Sequence, residues 1–476
     1  MNLMAGQTSK RLIEQINPAT GEVLQRVKSA TREEVDHVIE KAGESFRNWR
    51  DVRPQERARL FDNVGKTLRE NKEKIARLIT LEMGKIIRES MAEVEKSATA
   101  FAYYAENGPG FLHPEPAKTD ATDSYVDFQP LGVVAAIMPW NFPVWQCVRF
   151  AAPALMAGNT TVFKPSSTTP QSAIALQSAI TESGIDDYCF NVVVGGGEVA
   201  NYMIESPGTN AVSFTGSVSV GAKVAEAASR QLKKFVLELG GSDPFIVLED
   251  ADMDTTAEGA VRGRFVNCGQ SCIASKRFFV VKEVAKNFIE QFVNKTKALR
   301  IGDPMSPETD IGPMVRKDAL EALDQQVKDS IKDGAHVEIG GRTLERPGYY
   351  YAPTILTRVN QNMRVMKEEV FGPVAPIMVV ENEKEAIRMA NDSEYGLGAS
   401  VWSEDVRKAE RVAQKLDAGL VTVNNVVSSD PRMPFGGVKK SGIGRELSRY
   451  GILEFTNIRS VRIYEKSPMG QQINTE

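Results

Sequence analysis

Two side chains in one stretch have the types needed for covalent chemistry. The stretch from Phe235 reads FVLELGGSDPFIVLEDADMD, then a helix-like segment, then RFVNCGQSCIASKR. Glu238 ends an apolar, strand-like run, and Cys272 follows a Gly-Gln-Ser turn. A carboxylate in an apolar strand is costly unless paired or protonated. Burial raises its pKa toward the range useful to a general base near neutrality. A thiol behind such a turn is expected to be exposed and able to become a thiolate nucleophile. The competing reading is a strand with an edge glutamate and a small buried cysteine, because free Cys is among the most buried residue types.

The remaining side chains narrow the choice of partners. There are only three histidines, His37, His113 and His336, and none neighbours a nucleophile in sequence. Ser-His-Asp, Cys-His and His-rich zinc chemistry are all disfavoured, so the base for Cys272 is expected to be a carboxylate. The four cysteines, Cys147, Cys189, Cys268 and Cys272, are too few for a disulfide framework in this length. Cys268 and Cys272 have the spacing C-x₃-C, but the sequence offers no good further zinc ligands, so no metal is expected. These two thiols either close a reversible disulfide under oxidation, or Cys268 is buried and inert.

Further chemistry sits in loops that follow strand-like runs. MPWNFP carries Asn141, whose amide donor is held by two prolines and a tryptophan and suits an oxyanion, or else caps a structural turn. VFKPSS ends with Lys164 in place to meet ribose hydroxyls or phosphate. FTGSVSVG puts Gly216 and Ser217 at the start of a helix, where a pyrophosphate is attracted. Its glycine spacing is not G-x-G-x-x-G, so alone it is a weak dinucleotide signal.

The elements that must position these groups follow from periodicity. Residues 31–48 read as an amphipathic helix with a Thr31–Glu34 capping box, and another helix starts near Pro54. Helical pattern continues to about Glu106, and a Pro- and Gly-rich break covers 108–116. TDATDSYVDFQP then alternates like an exposed antiparallel strand. From Leu131 the unbroken apolar run LGVVAAIM starts an alternation of strands and helices that ends in FVLEL. That rhythm predicts an α/β fold with a parallel, doubly wound sheet. A second α/β series runs from Pro244 to about Phe435, followed by the strand-like FTNIRSVRIYE. The 476 residues carry a net charge of −4 without a long basic block, which disfavours nucleic acid as a partner. No apolar run reaches membrane-spanning length, and the N-terminal residues lack an apolar signal core, so a cytoplasmic location is expected.

The motifs MPWNFP, FKPS, FTGS, LELGG, GQSC, EEVFGPV and PFGGVKKSGIGRE, in that order, resemble the NAD(P)-dependent aldehyde dehydrogenase superfamily over nearly the whole chain. LELGGSDPF, NCGQSCIASKR and GREL most resemble its succinate-semialdehyde dehydrogenase branch. The resemblance implies two doubly wound parallel-sheet domains and a small β-flap for homo-oligomerisation. The cofactor domain would span 1–111 and 131–240, the catalytic domain 241–440, and the flap 112–130 and 456–466. It also implies that Cys272 attacks the aldehyde, Asn141 and the Cys272 backbone N–H hold the oxyanion, and Glu238 activates the hydrolytic water. Lys164, Gly216, Ser217, Glu369 and Phe371 would hold the cofactor, with Met138, Pro139, Trp140, Ser167, Gly197 and Leu239 along it. Many NAD-preferring relatives carry Glu at the position of Ser167, so NADP is expected to be preferred here, with NAD also used. Arg149 and Ser429 would meet the substrate carboxylate. The branch's second substrate Arg falls on Val266, and Arg264 is the nearest replacement. The alternatives are a broader preference for short aliphatic aldehydes, or a cofactor-free thioesterase or acyltransferase using the same Cys and Glu.

Overall fold

The apolar run after Leu131 becomes the strand Val133–Ile137, buried along its whole length as a central strand must be. The computed structural model describes residues 12–465. The sequence expectations for 1–11 and for residue 466 therefore lie outside the described residues. Val133–Ile137 lies inside a six-stranded sheet. In order across it the strands are Gly442–Ile443, Lys234–Glu238, Ala211–Thr215, Val133–Ile137, Thr160–Lys164 and Phe190–Val192. All neighbours are parallel except Gly442–Ile443, which is antiparallel to Lys234–Glu238. From Val133–Ile137 the chain winds outward through Thr160–Lys164 to Phe190–Val192, then returns to Ala211–Thr215 on the other side. That reversal opens a crevice beyond the C-terminal ends of Val133–Ile137 and Ala211–Thr215, where doubly wound sheets bind ligands. The MPWNFP and FTGS loops both begin there.

A second sheet has seven strands. Its order is His336–Ile339, Thr354–Thr357, Val374–Val380, Ser275–Val281, Asp243–Val247, Gly398–Trp402 and Leu420–Val423. Only the edge strand His336–Ile339 is antiparallel. The two doubly wound sheets are thus as expected, each with one antiparallel edge added. A separate three-stranded sheet joins Thr456–Ile463 to Asp123–Pro130 and Glu115–Pro116.

Two local expectations need correction. The helix Ile87–Phe111 continues through Pro109 instead of breaking at Gly108. Pro109 falls in the last turn, so its missing N–H removes only one helical bond. Gly108 fits because a Cβ there would meet Met156 Cγ at 2.5 Å. The hairpin Leu12–Ile16 with Val23–Lys28 was not anticipated. Its turn chemistry was visible in NPATGE: the Asn17 side chain accepts from Ala19 N at 2.9 Å, and Gly21 takes φ +77°. The Thr31–Glu34 capping box is present as expected.

Candidate active site

After the helix Met253–Phe265, Asn267, Cys268 and Gly269 all take left-handed φ of 51°, 55° and 70°. Residues with a Cβ resist that conformation, so the surroundings must hold it. Glu89 accepts from Asn267 N at 2.9 Å. Asn267 Nδ2 donates to Asn141 O at 2.8 Å, and Asn141 Nδ2 donates to Gln270 O at 3.1 Å. Buried Arg264 donates to the carbonyls of Ser275, Gly269 and Gly372 at 3.0, 2.8 and 2.6 Å. Arg264 is therefore spent on backbone carbonyls and does not replace the arginine missing at Val266. Lys276 Nζ donates to the carbonyls of Ser271 and Cys272 at 2.8 and 2.6 Å.

This framework delivers Cys272 to the wall of a cavity of about 310 Å³, which Phe142, Trp145, Arg149, Val266 and Ser429 also line. Cys272 is half-buried rather than exposed as the turn implied. Burial pushes its thiol up to about 11, against the opposing pull of Arg149 and Lys276. A neutral resting thiol is the consequence. Cys268 is buried, and burial pushes its thiol up to about 12, the environment of the inert alternative. Asn141 uses one amide hydrogen on Gln270 O, two residues before Cys272, which leaves the other for a ligand.

Glu238 is buried at the end of its strand with neither carboxylate oxygen hydrogen-bonded. Burial and then the neighbouring Glu446 carboxyl lift it well above the usual carboxylate range, with Arg149 opposing. Arg149 Nε donates to Glu446, its plane lies 4.0 Å from the Phe435 ring centroid, and its Nη2 has no partner. The guanidinium expected to meet substrate is thus anchored on Glu446, with Nη2 buried and unpaired among the described residues. Nothing in the spacing of the sequence marked Glu446, Lys276 or Glu89, which reach the site from three separate elements.

The residues expected to hold a dinucleotide gather around the crevice at the C-terminal ends of the six-stranded sheet. Ser217 is the N-cap of the helix Val218–Arg230 and makes no side-chain cap, so the first N–H groups face outward. Gly216 abuts Phe214, where a Cβ would lie 2.5 Å from the ring, and Gly221 closes on Leu239. Met138 N donates to Lys164 O at 3.2 Å, tying MPWNFP to the strand that carries Lys164. Lys164 Nζ donates to the carbonyls of Pro165 and Gly195 at 2.8 and 3.0 Å, which leaves a third hydrogen. Burial pulls its pKa down to about 8. Across the crevice Glu369 accepts from Gly241 N at 3.2 Å, and a Cβ on Gly240 would meet its carboxylate at 2.3 Å. Phe371 meets Trp140 edge to face at 5.8 Å. Pro139 stiffens the approach to Trp140, Gly197 opens the helix Gly197–Glu205, and Ser167 borders a second surface cavity. These residues fit a nicotinamide dinucleotide.

Residues 4–461 match the aldehyde dehydrogenase family. The chain belongs to that family. This aldehyde dehydrogenase is 45% identical over 448 residues to a protein of Synechocystis named probable succinate-semialdehyde dehydrogenase [NADP(+)], covering 94% of this chain and 99% of the relative. It is 44% identical over 451 residues to succinate-semialdehyde dehydrogenase [NADP(+)] 1 of Mycobacterium tuberculosis, with the same coverage. The solved succinic semialdehyde dehydrogenase of Streptococcus pyogenes, in complex with NADP+, superposes with a TM-score of 0.93 at 36% identity over 95% of this chain and 100% of that one. The enzyme is an NAD(P)-dependent oxidoreductase, as its family and its relatives indicate.

Proposed function

We propose that this aldehyde dehydrogenase oxidises succinate semialdehyde to succinate with NADP+ preferred and NAD+ accepted. The observation that carries the substrate is that Arg149 lines the cavity of Cys272 together with Ser429. A guanidinium in the cavity of the thiol suits a carboxylate at the far end of a short aldehyde. The names of the relatives agree with it. Ser167 in place of a glutamate leaves room and a donor for a 2′-phosphate, with Lys164 supplying charge.

In this reading the Cys272 thiol gives its proton to solvent water, its Sγ then adds to the aldehyde carbon, and Asn141 Nδ2 with the Cys272 N–H holds the oxyanion. Bound NADP+ supplies the hydride acceptor. Glu369 and Lys164 fix the cofactor, and Phe371 and Trp140 shape its nicotinamide end. Glu238 then takes a proton from the water that hydrolyses the thioester, and Arg149 and Glu446 tune its charge. The domain division follows the two sheets and the separate three-stranded one, with the flap strand Thr456–Ile463 joining copies of the chain. A cytoplasmic location suits four free thiols, since disulfide-permissive compartments favour paired cysteines. Among the described residues no helix is long and apolar enough to cross a membrane.

Reduced-cofactor absorbance with succinate semialdehyde and with butanal, each with NADP+ and NAD+, tests this reading. The semialdehyde should win in kcat/KM by at least about tenfold, roughly 1.4 kcal/mol, and NADP+ should not lose to NAD+. Equal use of both aldehydes would leave a broad aliphatic aldehyde dehydrogenase.

A further inference from the structure

Ser429 Oγ lies 2.8 Å from Lys96 Nζ and 2.9 Å from Trp145 Nε1. Ammonium and indole N–H are donors only, so they occupy both lone pairs of the hydroxyl. The hydroxyl hydrogen must then be given to something else, and it meets no protein acceptor among the described residues. Lys96 Nζ sits over the Trp145 ring, 4.5 Å from its centroid. It makes no ion pair among the described residues, and the nearby acids are engaged elsewhere. Glu93 holds Lys85 and accepts from the N–H groups of Val144 and Trp145 at 2.9 and 3.0 Å. Asp430 pairs with Arg432 at 2.6 Å. Lys96, Trp145, Arg149, Val266 and Ser429 line the same cavity as Cys272.

Lys96 and Ser429 thus bring donors to a cavity that Arg149 and Arg262 also line, while its acidic lining, Glu89 and Glu93, already accepts from backbone N–H groups and only the Gln146 Oε1 acceptor is left without a partner among the described residues. Buried donors left without acceptors are unfavourable, so the cavity is built to be completed by an anion. Val266, an aliphatic wall, provides no charge where the second arginine was expected. We propose that Lys96 is a substrate-binding and specificity-determining residue, whose ammonium, with the Ser429 hydroxyl, grips the distal carboxylate of an aldehyde acid. This rests on the substrate reading above and names the residue that takes over from the missing arginine. Lys96 comes from the helix Ile87–Phe111, far in sequence from every motif, so the specificity of the site would be set from outside the motif set.

The test uses the full-length enzyme and Lys96→Met, Lys96→Gln and Lys96→Arg, with succinate semialdehyde and butanal as substrates. Succinate protection of Cys272 against iodoacetamide gives a readout that does not need turnover. Removing the ammonium should raise KM for the semialdehyde on the order of 30-fold or more, and that for butanal less than about threefold. Succinate protection should disappear in Lys96→Met and Lys96→Gln and return in Lys96→Arg. Lys96→Gln keeps the polar length if Lys96→Met does not fold. Equal rises for both aldehydes, or succinate protection that survives in Lys96→Gln, would overturn the role of Lys96 while leaving the substrate reading in place. A wild-type enzyme that uses butanal as well as the semialdehyde would instead overturn the substrate reading, and the clamp with it.

Discussion

Among the described residues Glu238 meets neither a hydrogen bond nor a salt bridge, and its burial favours the protonated form. A base must first lose that proton. The sign follows directly: a carboxyl lifted above its usual range stays protonated further up the pH scale, so its basic form appears later. Steady-state kcat should therefore climb with pH through and above neutrality where hydrolysis of the thioester limits turnover. Glu238→Gln should abolish that climb while a burst of reduced cofactor persists, and stopped-flow absorbance will show both. Loss of the burst in Glu238→Gln would put the residue in acylation instead. Lys164 carries a second, opposite dependence. Its charge is present below about 8 and lost above it, so kcat/KM for NADP+ should fall as pH passes that value, more steeply than for NAD+. A parallel fall for both cofactors would remove Lys164 from phosphate recognition. Cys272, Glu238 and Asn141 could be proposed from the sequence because the chemistry demands those residue types at strand ends and stiff loops. Glu446, Lys276 and Lys96 could not, because their roles come from contacts between distant segments that no local spacing encodes.

At the scale of elements, the loop that carries Cys272, the proposed nucleophile, is held by buried Arg264. Arg264 joins Gly269 and Ser275 on the nucleophile side to Gly372 beside Phe371 on the cofactor side. Arg264→Met would take this donor from the Gly269 and Ser275 carbonyls, at about 1–3 kcal/mol for each one left unpaired, while Gly372 O keeps the Val374 N–H at 2.8 Å. The variant should melt at lower temperature than wild type, and iodoacetamide should reach its Cys272 faster. A melting temperature within a degree or so of wild type would mean that water replaces the guanidinium. Gly269 completes the clamp: it takes φ +70°, and a Cβ there would sit 2.2 Å from Gly372 O. Strands and helices of the two α/β series were readable because apolar runs and 3.6-residue stripes reflect burial directly. The left-handed turn at Asn267 and Cys268 was not, since its conformation is imposed by Glu89, Asn141 and Arg264 and opposed by local preference. The same distinction explains Pro109, where the local signal for a break loses to the packing of the final helical turn.

At the scale of the molecule, catalysis needs two sheets to face each other. The C-terminal edge of one carries Asn141, Lys164 and Glu238. The segments entering the other carry Cys272, Glu369 and Phe371. The tail then crosses back: Gly442–Ile443 pairs with Lys234–Glu238, which brings Glu446 against Arg149. The catalytic domain was expected to end at 440, and the chain after it pairs with the first sheet. The strand Thr456–Ile463 ends the three-stranded sheet, with one edge on Asp123–Pro130 and the other unpaired among the described residues. That strand exposes Ile458 at 59% and Ile463 at 45%. An apolar, unpaired edge on a monomer is an aggregation hazard unless something covers it, and a second copy of the same strand is the simplest cover. The enzyme should therefore sediment as a homo-oligomer. Ile458→Lys together with Ile463→Lys should shift it to smaller species, because like charges would then oppose each other across the joined edges. An unchanged sedimentation mass for the double variant would show that the copies associate through another surface, and a monomeric wild type would show that this edge is covered by something other than a second copy.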